Sequence, residues 1–306
     1  MNETVMRRLA KPMLFAAALI WGSSFFIMKG AVDVIPTFYL LAIRFTGGAL
    51  LLGLVFWKKW KLLFTKDYLW RGAVIGAFLF LAYSVQTFGL MGTTPSKNAF
   101  LTAVYCVLVP FLYWLVMKRR PDRYNILAAV LCVAGVGFVS LNSGFTVTWG
   151  DALTLCCAFF YAAHIVAVAK VSPGKDIYLL TVFQFAFAAL YAWICGACFQ
   201  RLPAADVLSA DLLIQMAYLI VMATTVALLF QNVGQVWSDP SSAAVILSLE
   251  SVFGVLFSVL FYGDPVTARL VVGFALIFVA VLCSETKFAF LQHKGPRRGK
   301  ASIPER

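Results

Sequence analysis

Residues 86–99 read QTFGLMGTTPSKNA, and residues 231–244 read QNVGQVWSDPSSAA. The two stretches align without a gap at a shift of 145 positions and share five of fourteen residues, where background composition would give about one. A shift of 140 positions also places an aromatic and a polar residue of the first apolar run on an aromatic and a polar residue of the sixth. The recurrence indicates that the chain consists of two homologous units.

The sequence around this repeat is too apolar for a soluble domain. Of its 306 residues 62% are hydrophobic and 12% are charged, and the mean hydropathy is +0.89. Soluble domains are about one quarter charged, so lipid must be the solvent for most of this chain. Apolar runs of spanning length occur at 13–32, 36–57, 70–91, 95–117, 124–141, 150–170, 176–199, 212–236, 240–262 and 267–286. These runs predict ten transmembrane helices.

Two units of five spans each predict an inverted repeat. Five is an odd number, so the second unit enters the membrane from the opposite side. We therefore expect an all-α membrane protein with two inverted five-helix repeats around a central cavity. The predicted parts of the chain are a cytoplasmic N-terminus at 1–12, a first repeat at 13–141, a second repeat at 150–286, and a basic cytoplasmic tail at 287–306.

The basic residues predict the orientation. With the N-terminus in the cytoplasm, the cytoplasmic segments carry 20 of the 25 Lys and Arg residues, and the outer segments carry 4. This bias predicts a multi-pass protein of the plasma membrane, in bacteria the inner membrane, with both termini cytoplasmic. Because these residues lie between apolar runs, the net charge of +12 does not indicate binding to nucleic acid. The expected partners are a small-molecule substrate and the lipid bilayer, and the protein is expected to be a monomer or a homodimer.

Several function classes are disfavoured by what the sequence lacks. No connection between the apolar runs is long enough for a soluble catalytic domain, so the functional site must lie within the helical bundle. A nucleotide-binding loop, a zinc-protease spacing and a nucleophile elbow are all missing. The pair Cys195 and Cys198 has redox or metal spacing but no second pair. We therefore expect no enzyme, no cofactor and no metal site.

Several motifs carry a family resemblance. They are residues 92–105 (GTTPSKNAFLTAVY), Val109-Pro110, 119–121 (RRP), 239–253 (DPSSAAVILSLESVF), Gly263-Asp264, 21–25 (WGSSF) and Arg44-Phe45. The chain resembles the EamA-type members of the drug/metabolite transporter superfamily over nearly its whole length. It departs from them at Ser251, where the family usually has Pro, and at Asp264, where it usually has Glu. The resemblance implies a ten-helix bundle with a central cavity and efflux as the usual direction of transport.

Three titratable residues lie inside predicted spans, and their presence there requires an explanation. An ionised group inside a span costs roughly 2.5–3.5 kcal/mol on insertion scales. Glu250 is interpreted as a cavity carboxylate that pairs with a substrate amine or binds a coupling proton. The alternative is a protonated Glu that hydrogen-bonds a neighbouring helix. Arg44 either binds a substrate carboxylate or joins helices through backbone carbonyls. His164 either carries a proton or is a neutral, hydrogen-bonded imidazole.

Uncharged polar and aromatic residues recur at equivalent places in the two units. Asn98, Thr102 and Tyr105 share one face of the fourth helix, and the shift of 145 maps Tyr105 onto Glu250. Such residues either line a cavity or join helices. The complete predicted substrate site comprises Trp21, Ser24, Tyr83, Gln86, Asn98, Thr102, Tyr105, Tyr161, His164, Gln231 and Glu250.

These features favour a secondary transporter that exports small polar or amphipathic metabolites, such as amino acids, by alternating access. Transport would be driven by the substrate gradient or by proton exchange. One alternative is an intramembrane enzyme that acts on lipid, for which Glu250 and His164 are the plausible acid/base pair. Another is a passive channel, which would need a continuous polar lining.

Overall fold

The computed structural model describes residues 3–62, 65–118, 120–140, 147–203, 209–238, 240–263 and 265–286. These residues form ten helical segments, and a short 3₁₀ helix at Trp57–Leu62 follows the second of them. The segments are α1 (Glu3–Val32), α2 (Thr37–Val55), α3 (Lys66–Met91), α4 (Pro95–Met117), α5 (Arg123–Ser140), α6 (Trp149–Val171), α7 (Ile177–Phe199), α8 (Ala210–Val236), α9 (Pro240–Ser248, Glu250–Phe257 and Ser258–Tyr262) and α10 (Ala268–Thr286).

Each predicted span coincides with one helical segment. Seven of the described helices, α1 to α4 and α6 to α8, are long and apolar enough to cross a membrane. The other three contain shorter apolar stretches. The all-helical membrane fold is thus confirmed, while the crossing of the bilayer by α5, α9 and α10 stays a prediction.

Two helices begin earlier than their apolar runs. The first apolar run starts at residue 13, but α1 is helical from Glu3, inside the segment assigned to the N-terminal tail. Met6 and Ala10 are one turn apart and buried, whereas Arg7 and Arg8 between them are exposed. This amphipathic turn packs on the bundle and continues the helix beyond the apolar run. In the same way α3 starts at Lys66 instead of residue 70.

The packing of the helices is that of two inverted repeats. The first part of α4 contacts the second part of α9, and the second part of α4 contacts the first part of α9. The equivalent helices α4 and α9 are therefore antiparallel. Helix α2 packs against its equivalent α7, and α5 packs against its equivalent α10. The contact of α3 with α6 recurs as the contact of α8 with α1.

Both α4 and α9 are interrupted at the same position of the repeat. The second piece of α4 begins at Tyr105 and the second piece of α9 begins at Glu250, which are matched by the shift of 145. Around the first break the N–H of Val104 donates to the carbonyl of Leu101 at 3.3 Å, an i to i+3 bond that tightens the turn. The interruption is thus a feature of the repeat and places two helix starts inside the bundle.

A threonine side chain caps the start of α4. The side chain of Thr94 accepts a hydrogen bond from the N–H of Lys97 at 3.4 Å, and Pro95 occupies the first helical turn.

Glycines allow the backbones of α3 and α6 to touch. A Cβ atom at Gly150 would lie 2.3 Å from the carbonyl carbon of Gly92 and 2.7 Å from the oxygen of Gly89. The equivalent of Gly89 in the second repeat is Gly234, where a Cβ atom would lie 3.0 Å from the oxygen of Ala10 in α1. Both repeats thus use a glycine to bring α3 or α8 against the first helix of the other repeat.

Ion pairs join the two repeats at both ends of the bundle. At one end, before and at the start of α3, Lys59 pairs with Asp176 and Asp67 pairs with Lys175. At the opposite end, past the end of α3, Lys97 pairs with the fully buried carboxylate of Asp151 at 3.4 Å. Ion pairs between the two repeats therefore lie on both sides of the bundle centre.

Candidate functional site

A central cavity lies between the two repeats, and most of the predicted site residues line it. Its free volume is about 30 Å³, which is room for about two water molecules. The predicted residues that line it are Trp21, Ser24, Arg44, Tyr83, Gln86, Asn98, Tyr105, Tyr161, Gln231 and Glu250. The structure thus brings together residues from α1, α2, α3, α4, α6, α8 and α9, while their role in binding stays a prediction.

Two predicted site residues lie behind the cavity wall. The hydroxyl of Thr102 accepts a hydrogen bond from Nε2 of Gln86 at 3.1 Å, so Thr102 supports a lining residue. His164 is fully buried, and its Nε2 is 3.2 Å from Oε1 of Gln184 on α7. It is not part of the cavity lining. Thr102 and His164 are therefore not among the residues that line the cavity.

Aromatic rings form one wall of the cavity. The rings of Tyr83 and Tyr161 meet edge to face with centroids 5.5 Å apart, and those of Tyr105 and Tyr161 are 6.1 Å apart. The indole N–H of Trp21 donates to the carbonyl of Ala223 at 2.8 Å, so its ring is fixed against α8. A rigid wall of this kind suits a ligand with an apolar or aromatic part.

A hydrogen-bond network fixes the amide side chains of Gln86 and Asn98, which also line the cavity. The hydroxyl of Tyr161 donates to Oε1 of Gln86 at 2.7 Å. Nδ2 of Asn98 lies 3.2 Å from the backbone carbonyl of Gln86 and 2.8 Å from the hydroxyl of Thr154. Oδ1 of Asn98 is buried and has no partner among the described residues. It is therefore an acceptor at the cavity wall that a ligand can use.

Arg44 is the basic group of the cavity. Its side chain is 1% exposed, its Nε donates to the hydroxyl of Thr224 at 3.1 Å, and its Nη1 donates to the sulfur of Met28 at 3.5 Å. The guanidinium carbon lies 5.2 Å from the ring centre of Tyr83, a cation–π distance. Arg44 thus joins α2 to α1 and α8, and these hydrogen bonds go to side chains instead of backbone carbonyls.

Glu250 is the acidic group of the cavity. It is 5% exposed, and its carboxyl group lies within hydrogen-bonding reach of the hydroxyl of Tyr105. It is the first residue of the second piece of α9, which only Leu249 separates from the first piece. None of the described ion pairs includes Arg44 or Glu250. The cavity therefore contains one basic and one acidic side chain, and Glu250 also has the contact with a neighbouring helix that its alternative interpretation requires.

Six lining residues are not among those predicted from the sequence. They are Phe25, Met28, Thr87, Leu90, Ile165 and Leu247. Helical spacing could have found Phe25 and Met28, which follow Trp21 by one and two turns. The aliphatic residues carry no chemical signal, because most residues of a membrane helix are apolar.

Within the described residues no group of three or more His, Cys, Asp or Glu could hold a metal ion.

Comparison with known proteins agrees with this architecture. A model of the EamA-like transporter family matches residues 9–141 and 148–286. A protein of Archaeoglobus fulgidus named "Uncharacterized transporter" is 35% identical over 284 residues, which cover 92% of this chain and 87% of that protein. "Uncharacterized transporter YvbV" of Bacillus subtilis is 23% identical over 275 residues, or 88% of this chain and 89% of that one. A crystal structure with 18% identity has the same fold, with a TM-score of 0.71 over 92% of this chain and 98% of the other.

Proposed function

This chain belongs to the EamA-like transporter family and is a multi-pass membrane transporter, and from this premise we propose that it exports small polar or amphipathic metabolites, such as amino acids, by alternating access. The direction is outward across the plasma membrane, with both termini in the cytoplasm. The charge bias of the chain supports this orientation.

The observation that carries the substrate class is the pair of unlike charges in the cavity. Arg44 and Glu250 both line it, and neither is part of a described ion pair. A buried charge is costly unless a partner compensates it. An amino acid supplies both partners, because its carboxylate complements Arg44 and its ammonium group complements Glu250. The tyrosine wall and the indole of Trp21 then contact its side chain.

Three features support alternating access. The repeats are inverted, so each can adopt the conformation of the other and open the cavity to either side. The breaks at Tyr105 and Glu250 place a hinge of each repeat at the cavity itself. The free volume of about 30 Å³ is too small for a metabolite, so the helices must separate to admit one. A passive channel would instead need an open, continuously polar path.

The arrangement of the titratable groups weighs against the alternative of an intramembrane enzyme. Such an enzyme would require Glu250 and His164 to meet. Glu250 lines the cavity, whereas His164 is turned toward Gln184 on α7. The position of Glu250 supports its use as the site of proton exchange, and the contact of His164 with Gln184 supports the alternative of a neutral, hydrogen-bonded imidazole.

Flux across proteoliposomes tests the proposal. We expect the purified protein to exchange radiolabelled amino acids, and to do so better than it exchanges monocarboxylates or simple amines, which satisfy only one of the two charges. In the variant Ser24→Phe the added ring fills the cavity and flux is lost. The matched control is Leu19→Phe on the same helix, where the side chain is 39% exposed to the surroundings and flux is retained.

Two results would refute this assignment. One is an equal preference for amino acids and for compounds that carry a single charge. The other is flux that survives in Ser24→Phe, because the substrate would then follow a route that avoids the cavity.

A further inference from the structure

A second group of buried polar side chains lies outside the cavity. We call it the inner polar cluster, and it comprises His164 on α6, Thr181 and Gln184 on α7, and Asn232 and Gln235 on α8. Nε2 of His164 is 3.2 Å from Oε1 of Gln184, and Nδ2 of Asn232 donates to the hydroxyl of Thr181 at 3.0 Å. Thr181 and Gln184 are three residues apart, so both contacts use one face of α7.

The cluster leaves an unusual number of polar atoms without partners. Within the described part of the chain they are Nδ1 of His164, Nε2 of Gln184, Oδ1 of Asn232 and both amide atoms of Gln235. All four side chains are at least nine-tenths buried. Side chains that only join helices satisfy one another, and buried polar atoms without partners are rare in folded proteins. These atoms therefore have hydrogen-bonding capacity that the described side chains do not use.

The position of the cluster relates it to the cavity. His164 follows the cavity residue Tyr161 by three positions on α6, and Gln235 follows the cavity residue Gln231 by four positions on α8. Helices α6 and α8 run in the same direction, because a single crossing separates them. On α8 the cluster extends one turn beyond the cavity, toward the end that is predicted to be cytoplasmic, while on α6 His164 lies between the lining residues Tyr161 and Ile165 and faces α7.

We infer that the inner polar cluster is a second binding site, which holds the hydrogen-bonding end of the substrate between the cytoplasm and the cavity. The inference rests on the proposed function. The unpartnered atoms of the inner polar cluster include a donor on Gln184 and an acceptor on Asn232, and Gln235 has one donor and one acceptor. None of the described ion pairs includes a member of the cluster. The inner polar cluster therefore selects an uncharged or zwitterionic polar group. The separate basic and acidic side chains, Arg44 and Glu250, are in the cavity.

Access to the cluster can be measured with a water-soluble thiol reagent. In Gln235→Cys we expect modification by a cationic methanethiosulfonate added from the side of the N-terminus. The amino acid with the highest flux in the proteoliposome panel should slow this modification. The matched control is Val233→Cys on the same helix, where the side chain is fully buried in an apolar cluster and no modification is expected beyond that of the native cysteines.

A second variant separates a binding role from a structural one. Gln235→Leu keeps the approximate volume but removes both hydrogen-bonding atoms. Loss of one or two hydrogen bonds to substrate raises KM about 5-fold to 30-fold for substrate supplied from the cytoplasmic side. If the amide serves no ligand, its removal instead raises the Tm and leaves KM unchanged. That result would overturn the inference.

The outcomes distinguish this inference from the proposed function. A wild-type protein that moves no amino acid overturns the proposed function and, with it, the second site. Wild-type flux together with an unreactive Gln235→Cys overturns the second site alone. Modification of Gln235→Cys at the same rate with and without the amino acid shows that the cluster is accessible from water but does not bind the amino acid, and it also overturns the inference.

Discussion

The charge of Arg44 can be tested against the charge of the substrate in the variant Arg44→Gln. Gln retains an N–H donor for Thr224, the residue that accepts from Nε at 3.1 Å, but it carries no positive charge. Arg44 hydrogen-bonds Thr224, Met28 and Tyr83, which leaves some of its five N–H donors for a carboxylate. We expect the variant to fold and to lose affinity for the carboxylate of the substrate.

The size of the effect follows from the environment of Arg44. The side chain is 1% exposed, so solvent screens its interactions little. A hydrogen bond to a charged group contributes about 1.5–3 kcal/mol. This corresponds to an increase in KM of about 10-fold to 150-fold.

The assay compares phenylalanine with its carboxamide in proteoliposomes that contain either the wild-type protein or the variant. Arg44→Gln should raise KM for the amino acid and change KM for the amide much less. The control is Arg71→Gln, because Arg71 pairs with Asp67 outside the cavity and should not distinguish the two compounds. Equal changes for acid and amide in Arg44→Gln would contradict a carboxylate-binding role and leave Arg44 with helix packing alone.

Two further predictions concern coupling and packing. Glu250→Gln keeps the shape of the side chain but cannot release a proton, so flux through this variant should no longer respond to a pH gradient. The control is Glu3→Gln at an exposed position, whose flux should respond like that of the wild type. A full response in Glu250→Gln would rule out proton coupling at this residue. Gly150→Ala should lower the Tm by several degrees, because its Cβ would lie 2.3 Å from the backbone of Gly92 and such overpacking costs about 1–3 kcal/mol. Gly53→Ala is the control, since a Cβ there meets no atom within 4 Å, and an unchanged Tm in Gly150→Ala would contradict the close contact of α3 and α6.

Much of the site could be read from the repeat. The shift of 145 identified Gln86 with Gln231 and Tyr105 with Glu250, and all four line the cavity. Positions equivalent in two inverted units face the same axis, so a polar residue that recurs at such a position is a good candidate. The shift of 140 matches Trp21 with Tyr161 and Ser24 with His164, and of these four residues His164 alone lies outside the cavity lining, beside Gln184.

The sequence by itself determined the membrane class, the helical segments and the repetition, because burial in lipid requires long apolar helices and homologous units keep recognisable residues. Only the tertiary structure decided how each helix is rotated. A soluble helix shows its inner face by an apolar stripe, but a helix in lipid is apolar on all sides and shows none. Its rotation is set by close contacts such as that of Gly150 with Gly92. These contacts place Asn98 at the cavity and Thr102, one turn away on the same helix, behind it.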